Sequence, residues 1–385
     1  MTLSVSEAES LVRAGVAALQ AGKAAEARTL LEQATAGGRG NVQISLLLAY
    51  ACRQSGDLGA AERATDAVLA KDNRNLRALL VKGDARHGAG DVQGATSFYS
   101  TATKLAQHAE SLPPDLATEL ERATRLLQEF SQGFRQRLET HLAAQGFGQA
   151  QRTARFQESI AILLEEKQVY FQQPSAYYFP GLPQIQFYDP AGFAWAAAVE
   201  AATPAILREL EAAQGGEGLF RPYLQSRLDR PNYDFHGLLD NPAWSTLYLW
   251  ENGGPIEANT ARFPETFAVV QQAPLARITT RAPSILFSQL KAGARIEPHN
   301  GMINTRLICH LPLIVPPGCG FRVGNEIREW KVGELLIFDD TIEHEAWNES
   351  DSDRVVLIFD VWRPELLDEE RAAVTAIFEA IDGAR

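Results

Sequence analysis

Cysteine is scarce in this sequence, long apolar runs are absent, and no stretch is basic. Each absence excludes something. The three cysteines among 385 residues, Cys52, Cys309 and Cys319, form no CxxC pair. That argues against a zinc–thiolate centre or a disulfide scaffold and fits a reducing compartment. No apolar stretch reaches the roughly eighteen residues that a membrane-spanning helix needs. The first residues, MTLSVSEAESLVRAGVAALQ, lack the basic start and apolar block of a signal peptide, so a cytoplasmic location is expected. Net charge is −12 with no cluster of Lys or Arg, which makes nucleic acid an unexpected partner. What remains is an ordinary globular composition, 45% hydrophobic and 22% charged, long enough for two or three domains.

The N-terminal third is periodic. Gly22, Gly56 and Gly90 stand 34 residues apart, each followed five residues later by Ala27, Ala61 or Ala95. Seven residues before each glycine is another small residue: Gly15, Ala49 or Gly83. A glycine ends a helix because it takes a left-handed conformation without a Cβ penalty, and small residues let two helices approach closely. The pattern resembles the tetratricopeptide repeat as three units over residues 8–109, without most of that repeat's large aromatic positions. Such an array presents a concave face to a peptide or protein, or serves only as a helical bundle. After Pro113–Pro114, apolar residues at Leu116, Leu120, Ala123, Leu127 and Phe130 predict a further helix.

From about residue 155 the composition changes. Aromatic and proline residues appear (YYFPGLPQIQFYDP), then a helical stretch from Phe193 to about Ala213. Strand-like runs occupy 284–290, 305–315, 320–324, 334–340 and 354–362, punctuated by Pro, Gly and Asn. Short strands joined by turns predict a β-sandwich or jelly roll, with a last helix over 364–382. The expected architecture is therefore α+β and multidomain. Residues 1–110 form the helical repeats, 111–154 a helical connector, and 155–385 a jelly-roll domain with flanking helices.

Seven histidines are present. His87, His108 and His141 fall in the helical part and read as surface residues; His236 lies in a proline-rich loop. His299, His310 and His344 fall among the strands. In the facial triad of non-haem iron oxygenases, two histidines and a carboxylate hold the metal and leave sites open. The carboxylate commonly lies two residues after the first histidine; here that place is Gly301, and His344 comes 45 residues after His299. Alternation puts Arg306, Ile308 and His310 on one face of a strand. Arg354 opens the last strand, and its fixed guanidinium suits a carboxylate. A histidine on a strand also serves purely structurally, and spacing alone leaves both readings open.

The stretches EPHNGMINTRLICHLPLIVP and GELLIFDDTIEHEAWNESDSDRVVLIFDVWRPEL, with YFPGLP at 178–183, LW at 249–250 and RFPET at 262–266, resemble the aspartyl/asparaginyl β-hydroxylase family over roughly residues 155–366. The resemblance implies a double-stranded β-helix. Iron(II) would be held by His299 and His344 alone, with glycine at the usual carboxylate position, as Gly301 is here. It further implies that Ser288, His310 and Arg354 bind 2-oxoglutarate, that O2 is the oxidant, and that Arg306 and Trp250 face the substrate. One departure concerns the strand before the cosubstrate histidine, where the animal enzymes have two alternate arginines. Arg306 is present but Ile308 takes the second place, which puts an aspartate substrate in doubt. The paired cysteines of the animal enzymes are also missing between Trp250 and Phe263.

Three functions are compatible with these features. The first is hydroxylation of a protein or peptide side chain recruited by the repeats. The second is hydroxylation of a small molecule or lipid headgroup. The third is a repeat scaffold whose β-domain is inactive, against which the intact set Ser288, His299, His310, His344 and Arg354 argues.

Overall fold

The computed structural model describes residues 4–36, 41–109, 111–213, 219–229, 231–279 and 281–383; the expected domain limits at 1, 110 and 385 lie outside them. Residues 1–164 form one compact unit and 165–385 a second.

The first unit is helical throughout. Three helical hairpins succeed one another: α1 (Val5–Gln20) with α2 (Ala24–Ala34), α3 (Val42–Gln54) with α4 (Leu58–Leu69), and α5 (Leu76–Gly88) with α6 (Val92–Ala106). A long helix α7 (Pro114–Ala144) and α8 (Ala154–Leu163) complete it. The periodic glycines end α1, α3 and α5 at φ values of 73, 81 and 80°. Asn41, Asp57, Asn75 and Asp91 start α3, α4, α5 and α6 by accepting a backbone N–H in the first turn. The small residues are fixed by close approach. A Cβ on Gly83 would overlap the ring of Tyr99 across the hairpin, and one on Gly15 would lie 2.9 Å from Leu31. Tyr99 is fully buried and its hydroxyl donates to Asp84 at 2.5 Å, so the ring has little room to yield.

The second unit is built on two antiparallel sheets. Its strands are β1 (Phe187–Tyr188), β2 (Arg221–Pro222), β3 (Trp244–Glu251), β4 (Gly254–Pro255), β5 (Ile285–Leu290) and β6 (Arg295–His299). Next come β7 (Arg306–Ile314), β8 (Cys319–Val323), β9 (Glu326–Arg328), β10 (Leu336–Phe338), β11 (His344–Asn348) and β12 (Arg354–Trp362). The larger sheet runs β1-β10-β7-β12-β5-β3-β2 with β4 attached to β3; the smaller runs β6-β11-β8-β9. The helical stretch expected from Phe193 divides into α9 (Ala196–Ala201) and α10 (Thr203–Ala213); α11 (Glu257–Thr260) and α12 (Pro264–Val270) come before β5, and α13 (Asp368–Gly383) closes the chain.

Alternation along the central strands sorts their side chains. Leu307, Cys309, Leu311 and Leu313 of β7 and Val355, Leu357, Phe359 and Val361 of β12 pack with Ala196, Val199, Ile206, Leu210, Val269 and Val270 of α9, α10 and α12. The opposite face looks toward the smaller sheet. There Leu290, Val356 and Phe338 meet Ile296, Phe321, Val323 and Ala346 in a second core. The candidate site residues other than Trp250 project into this space between the sheets. No helix among the described residues is long and apolar enough to cross a membrane.

Gly83→Val should destabilise the helical unit by about 1–3 kcal/mol, the usual cost of forcing extra atoms into a packed contact. A urea midpoint unchanged from wild type, monitored by far-UV circular dichroism, would show that the Gly83–Tyr99 contact does not set the hairpin's packing.

Candidate active site

His299 and His344 are brought together by strand pairing. β6 and β11 are antiparallel neighbours, and their register sets the two histidines directly opposite. Their ring centroids lie 4.1 Å apart. Each ring is anchored from behind: Nδ1 of His299 donates to the Glu297 carbonyl at 2.8 Å and Nδ1 of His344 to the Ile342 carbonyl at 3.1 Å. A carbonyl can only accept, so the proton sits on Nδ1 and the lone pair on Nε2, the form that ligates metal. Burial holds both rings neutral. His299 is pushed below its ordinary value, and His344, further opposed by His299, is lowered to about 3.

Gly301 lies just past the end of β6, and its N–H donates to the Asp340 carbonyl at 2.6 Å. A side chain there would collide with the Asp340 carboxylate, which occupies the position a Cβ would take. The space of the expected third ligand is thus taken up by a carboxylate from the turn before β11. Asp340 is pushed up to about 7 by burial, partly offset by Arg306 at 3.6 Å, and its Oδ1 has no partner. Among the described residues no group of three or more His, Cys, Asp or Glu side chains is arranged to hold a metal ion. Two neutral nitrogens supplied by the protein fit a metal that takes its remaining ligands from elsewhere, as a non-haem iron does.

Deeper between the sheets lies a set of donors without acceptors. Ser288 on β5, His310 on β7 and Arg354 on β12 come from three adjacent strands and share the inward face, since Val356 pairs with Ser288 and Ile358 with His310. Arg354 is 1% exposed, and its Nε and Nη2 have no partner; nor does Nδ1 of His310. Burial without a countercharge lowers Arg354 to about 10 and depresses His310 well below the usual imidazole range. Ser288 accepts from Trp244 Nε1 at 3.1 Å, which leaves its own proton to donate. A buried cluster of unused N–H and O–H donors around one guanidinium is chemistry for an anion, and 2-oxoglutarate's distal carboxylate fits it.

Arg306 is differently placed. Asp360 lies 3.1 Å from its Nη1 and Asp340 3.6 Å from its Nη2, so two carboxylates surround one cation. Ile308 and Ile358 line the same face as apolar neighbours. Trp250 does not join the group. β3 carries a bulge between Tyr248 and Trp250 that turns the indole to the helix-packed face, where it stacks on Phe267 at 6.1 Å under Arg277 at 5.1 Å. Phe338 and Phe321 lie 5.6 and 6.3 Å from His344, and on the other side Phe235 and Trp244 lie 5.6 and 6.5 Å from His299. Sequence reasoning missed Phe235 and Trp244, together with Asp340 and the buried Trp330. Trp244 alone left a signal, since its alternation from Leu247 and Leu249 puts it on the inward face.

Residues 200–364 match the family described as aspartyl/asparaginyl beta-hydroxylase, and residues 18–83 match the tetratricopeptide repeat. Among curated proteins, the chain is 39% identical over 136 residues to the aspartyl/asparaginyl beta-hydroxylase of Mus musculus, covering 35% of this chain and 18% of that protein. It is 37% identical over 180 residues to the ornithine lipid ester-linked acyl 2-hydroxylase of Rhizobium tropici, covering 46% and 60%. The helical part aligns with the structure of PcrH from Pseudomonas aeruginosa at 22% identity and a TM-score of 0.30, over 34% of this chain and 95% of that one. The chain thus spans only a fraction of the length of the animal relative.

Protonation of His344 on unfolding makes stability depend on pH. The unfolded imidazole takes up a proton below its model value of 6.5, whereas the folded one does so only near 3. Stability from this group is fully present above about 6.5 and is lost as pH falls toward 3, with a slope of up to about 1.4 kcal/mol per pH unit. Chemical denaturation of the metal-free protein across this range should therefore show a steeper acid loss in wild type than in His344→Gln. Parallel curves would contradict a buried neutral His344.

Proposed function

We propose, starting from a C-terminal domain similar to the aspartyl/asparaginyl β-hydroxylases, that this protein is an Fe(II)- and 2-oxoglutarate-dependent hydroxylase whose two sheets form a double-stranded β-helix. One observation carries the reading. Two neutral histidines with free Nε2 atoms face each other across one strand pair, beside a buried guanidinium with two unpartnered nitrogens. Residues that serve only the fold do not leave a buried cation unpaired, because that arrangement costs several kcal/mol. This also weighs against an inactive scaffold.

On this reading His299 and His344 hold the iron, and Ser288, His310 and Arg354 hold the cosubstrate's carboxylates. Iron with 2-oxoglutarate supplies oxygen activation, and succinate and carbon dioxide leave as co-products. The chain's own work is positional. Arg354 and Ser288 would hold the distal carboxylate, and the histidines would hold the metal that takes the keto acid end. Phe235 and Trp244 close one side of the metal position and exclude water. Asp340 places a carboxylate where a side chain at residue 301 would otherwise go.

Two substrate classes remain in view. A peptide side chain agrees with the animal relatives and with repeats able to recruit a protein. A neutral or apolar group is favoured by the site itself: Arg306 is already neutralised by Asp360 and Asp340, and Ile308 offers no charge. The similarity to a lipid acyl hydroxylase over 180 residues supports this second class. Presenting the iron-loaded protein with peptides bearing acidic side chains and, separately, with acyl lipids distinguishes them by which product gains one oxygen atom. The lipid arm is expected to react better than the acidic peptide, and preferential hydroxylation of the acidic peptide would refute a neutral-group preference.

His299→Ala and His344→Ala should each abolish succinate formation linked to substrate. Retained turnover in a preparation with verified metal content would overturn the assignment.

A further inference from the structure

Arg354 raises a physical problem that its neighbours solve in an unusual way. The side chain is 1% exposed, and no carboxylate among the described residues pairs with it. A desolvated cation needs a source of negative potential. The group that faces it is an aromatic ring: the guanidinium carbon lies 4.7 Å from the centroid of Trp330. The ring itself is held. Trp330 is 4% exposed, stacks on Phe321 at 5.3 Å with an interplanar angle of 15°, and lies 6.1 Å from His310. Its Nε1–H is buried without a partner, like the Nε and Nη2 of Arg354 and the Nδ1 of His310.

The choice of an aromatic partner has a consequence for ligand binding. A carboxylate in this place would neutralise Arg354 and occupy its N–H donors, so an incoming anion would have to displace it. An aromatic face attracts the cation through its quadrupole and takes up no hydrogen bond. The guanidinium is therefore held in position while its donors stay available. Arg306, whose Nη1 is 3.1 Å from Asp360, shows the contrasting arrangement within the same sheet space.

We propose that Trp330 is a positioning residue for the dicarboxylate cosubstrate, its ring face fixing the Arg354 guanidinium and its indole N–H adding a donor to the same pocket. This rests on the oxygenase reading given above. It assigns a role to a residue outside the β-strands, in the segment between β9 and β10.

The test measures binding and does not depend on turnover. The full-length protein is loaded with Mn(II) and titrated calorimetrically with N-oxalylglycine, a non-reacting analogue of 2-oxoglutarate. Trp330→Leu, which keeps an apolar side chain but loses the ring, should raise the analogue's Kd at least tenfold. Trp330→Phe, which restores a ring face without the N–H, should recover most of that loss. Mn(II) affinity, set by His299 and His344, should change less than threefold in both variants. A Kd within twofold of wild type in Trp330→Leu overturns the proposal, as does loss of Mn(II) and analogue binding in equal proportion. Should Trp330→Leu fail to fold, the emission of wild type minus that of Trp330→Phe isolates the Trp330 signal. A shift of that signal when the analogue saturates the site supports the proposal, and a spectrum indifferent to the analogue overturns it. A wild-type protein that binds Mn(II) but no analogue refutes the oxygenase reading itself, an outcome separate from failure at Trp330.

Discussion

The register between β7 and β12 decides whether the molecule has a site at all. Both strands bury both faces, yet the two faces differ completely in character. Val355, Leu357, Phe359 and Val361 enter the core under the helices, while Arg354, Val356, Ile358 and Asp360 alternate with them toward the smaller sheet. A slip of one residue would move every inward group into the helix-packed core and every apolar one out of it. Each large apolar side chain lost from that core forfeits about 1.5–3 kcal/mol, and each displaced charge costs more. The apolar face therefore fixes the register, and the polar face receives its geometry from it. Ser288, His310 and Arg354 converge because the strands that carry them are adjacent and in phase.

Three arginines on or beside β7 and β12 are buried or nearly so, and the way each is satisfied separates structure from site. Arg363 pairs with Asp339 at 2.7 Å, both fully buried, and also donates to the carbonyls of Asn304 and Pro183. That network ties the end of β12 to the segment before β1. Arg306 pairs with Asp360 and approaches Asp340. Both cations therefore have a countercharge beside them. Arg354 has two unpartnered nitrogens and an aromatic face in place of an anion. The same region thus contains two paired cations and one whose donors are left open, the pattern on which the proposed anion site rests.

Much of this was legible in the sequence where periodicity carries the information. The 34-residue spacing of Gly22, Gly56 and Gly90 located the ends of α1, α3 and α5, because a left-handed helix terminus favours glycine whatever surrounds it. Strand alternation put Arg306, Ile308 and His310 on one face, as they are found. The resemblance set Trp250 toward the substrate, and the structure does not: a bulge after Tyr248 adds a residue to β3 and reverses the facing of the residues beyond it, and nothing in the residue types announces it. The helical stretch after Phe193 read as one helix and is two, broken between Ala201 and Thr203. Asp340 and Trp330 were invisible for a different reason. Each acts on residues tens of positions away, and contacts of that kind are made by the fold and leave no local pattern.

Gly301 shows how the two kinds of information combine. In sequence it reads as a missing ligand, a carboxylate position with nothing to donate. In the structure the lack of a side chain is required by a neighbour: the Asp340 carboxylate lies where any Cβ at residue 301 would go, and the two residues are joined through the Gly301 N–H. A carboxylate at both positions would set two buried like charges against each other, which neither Arg306 nor the two histidines could offset. Asp340 already feels that environment, with its pKa pushed up to about 7. So the glycine and the aspartate are two parts of one arrangement. The carboxylate stands in the turn before His344 instead of at the strand end beside His299, and there it also meets Arg306. On the proposed reading, that placement, together with the paired charge of Arg306, would favour substrate groups that bring no charge of their own.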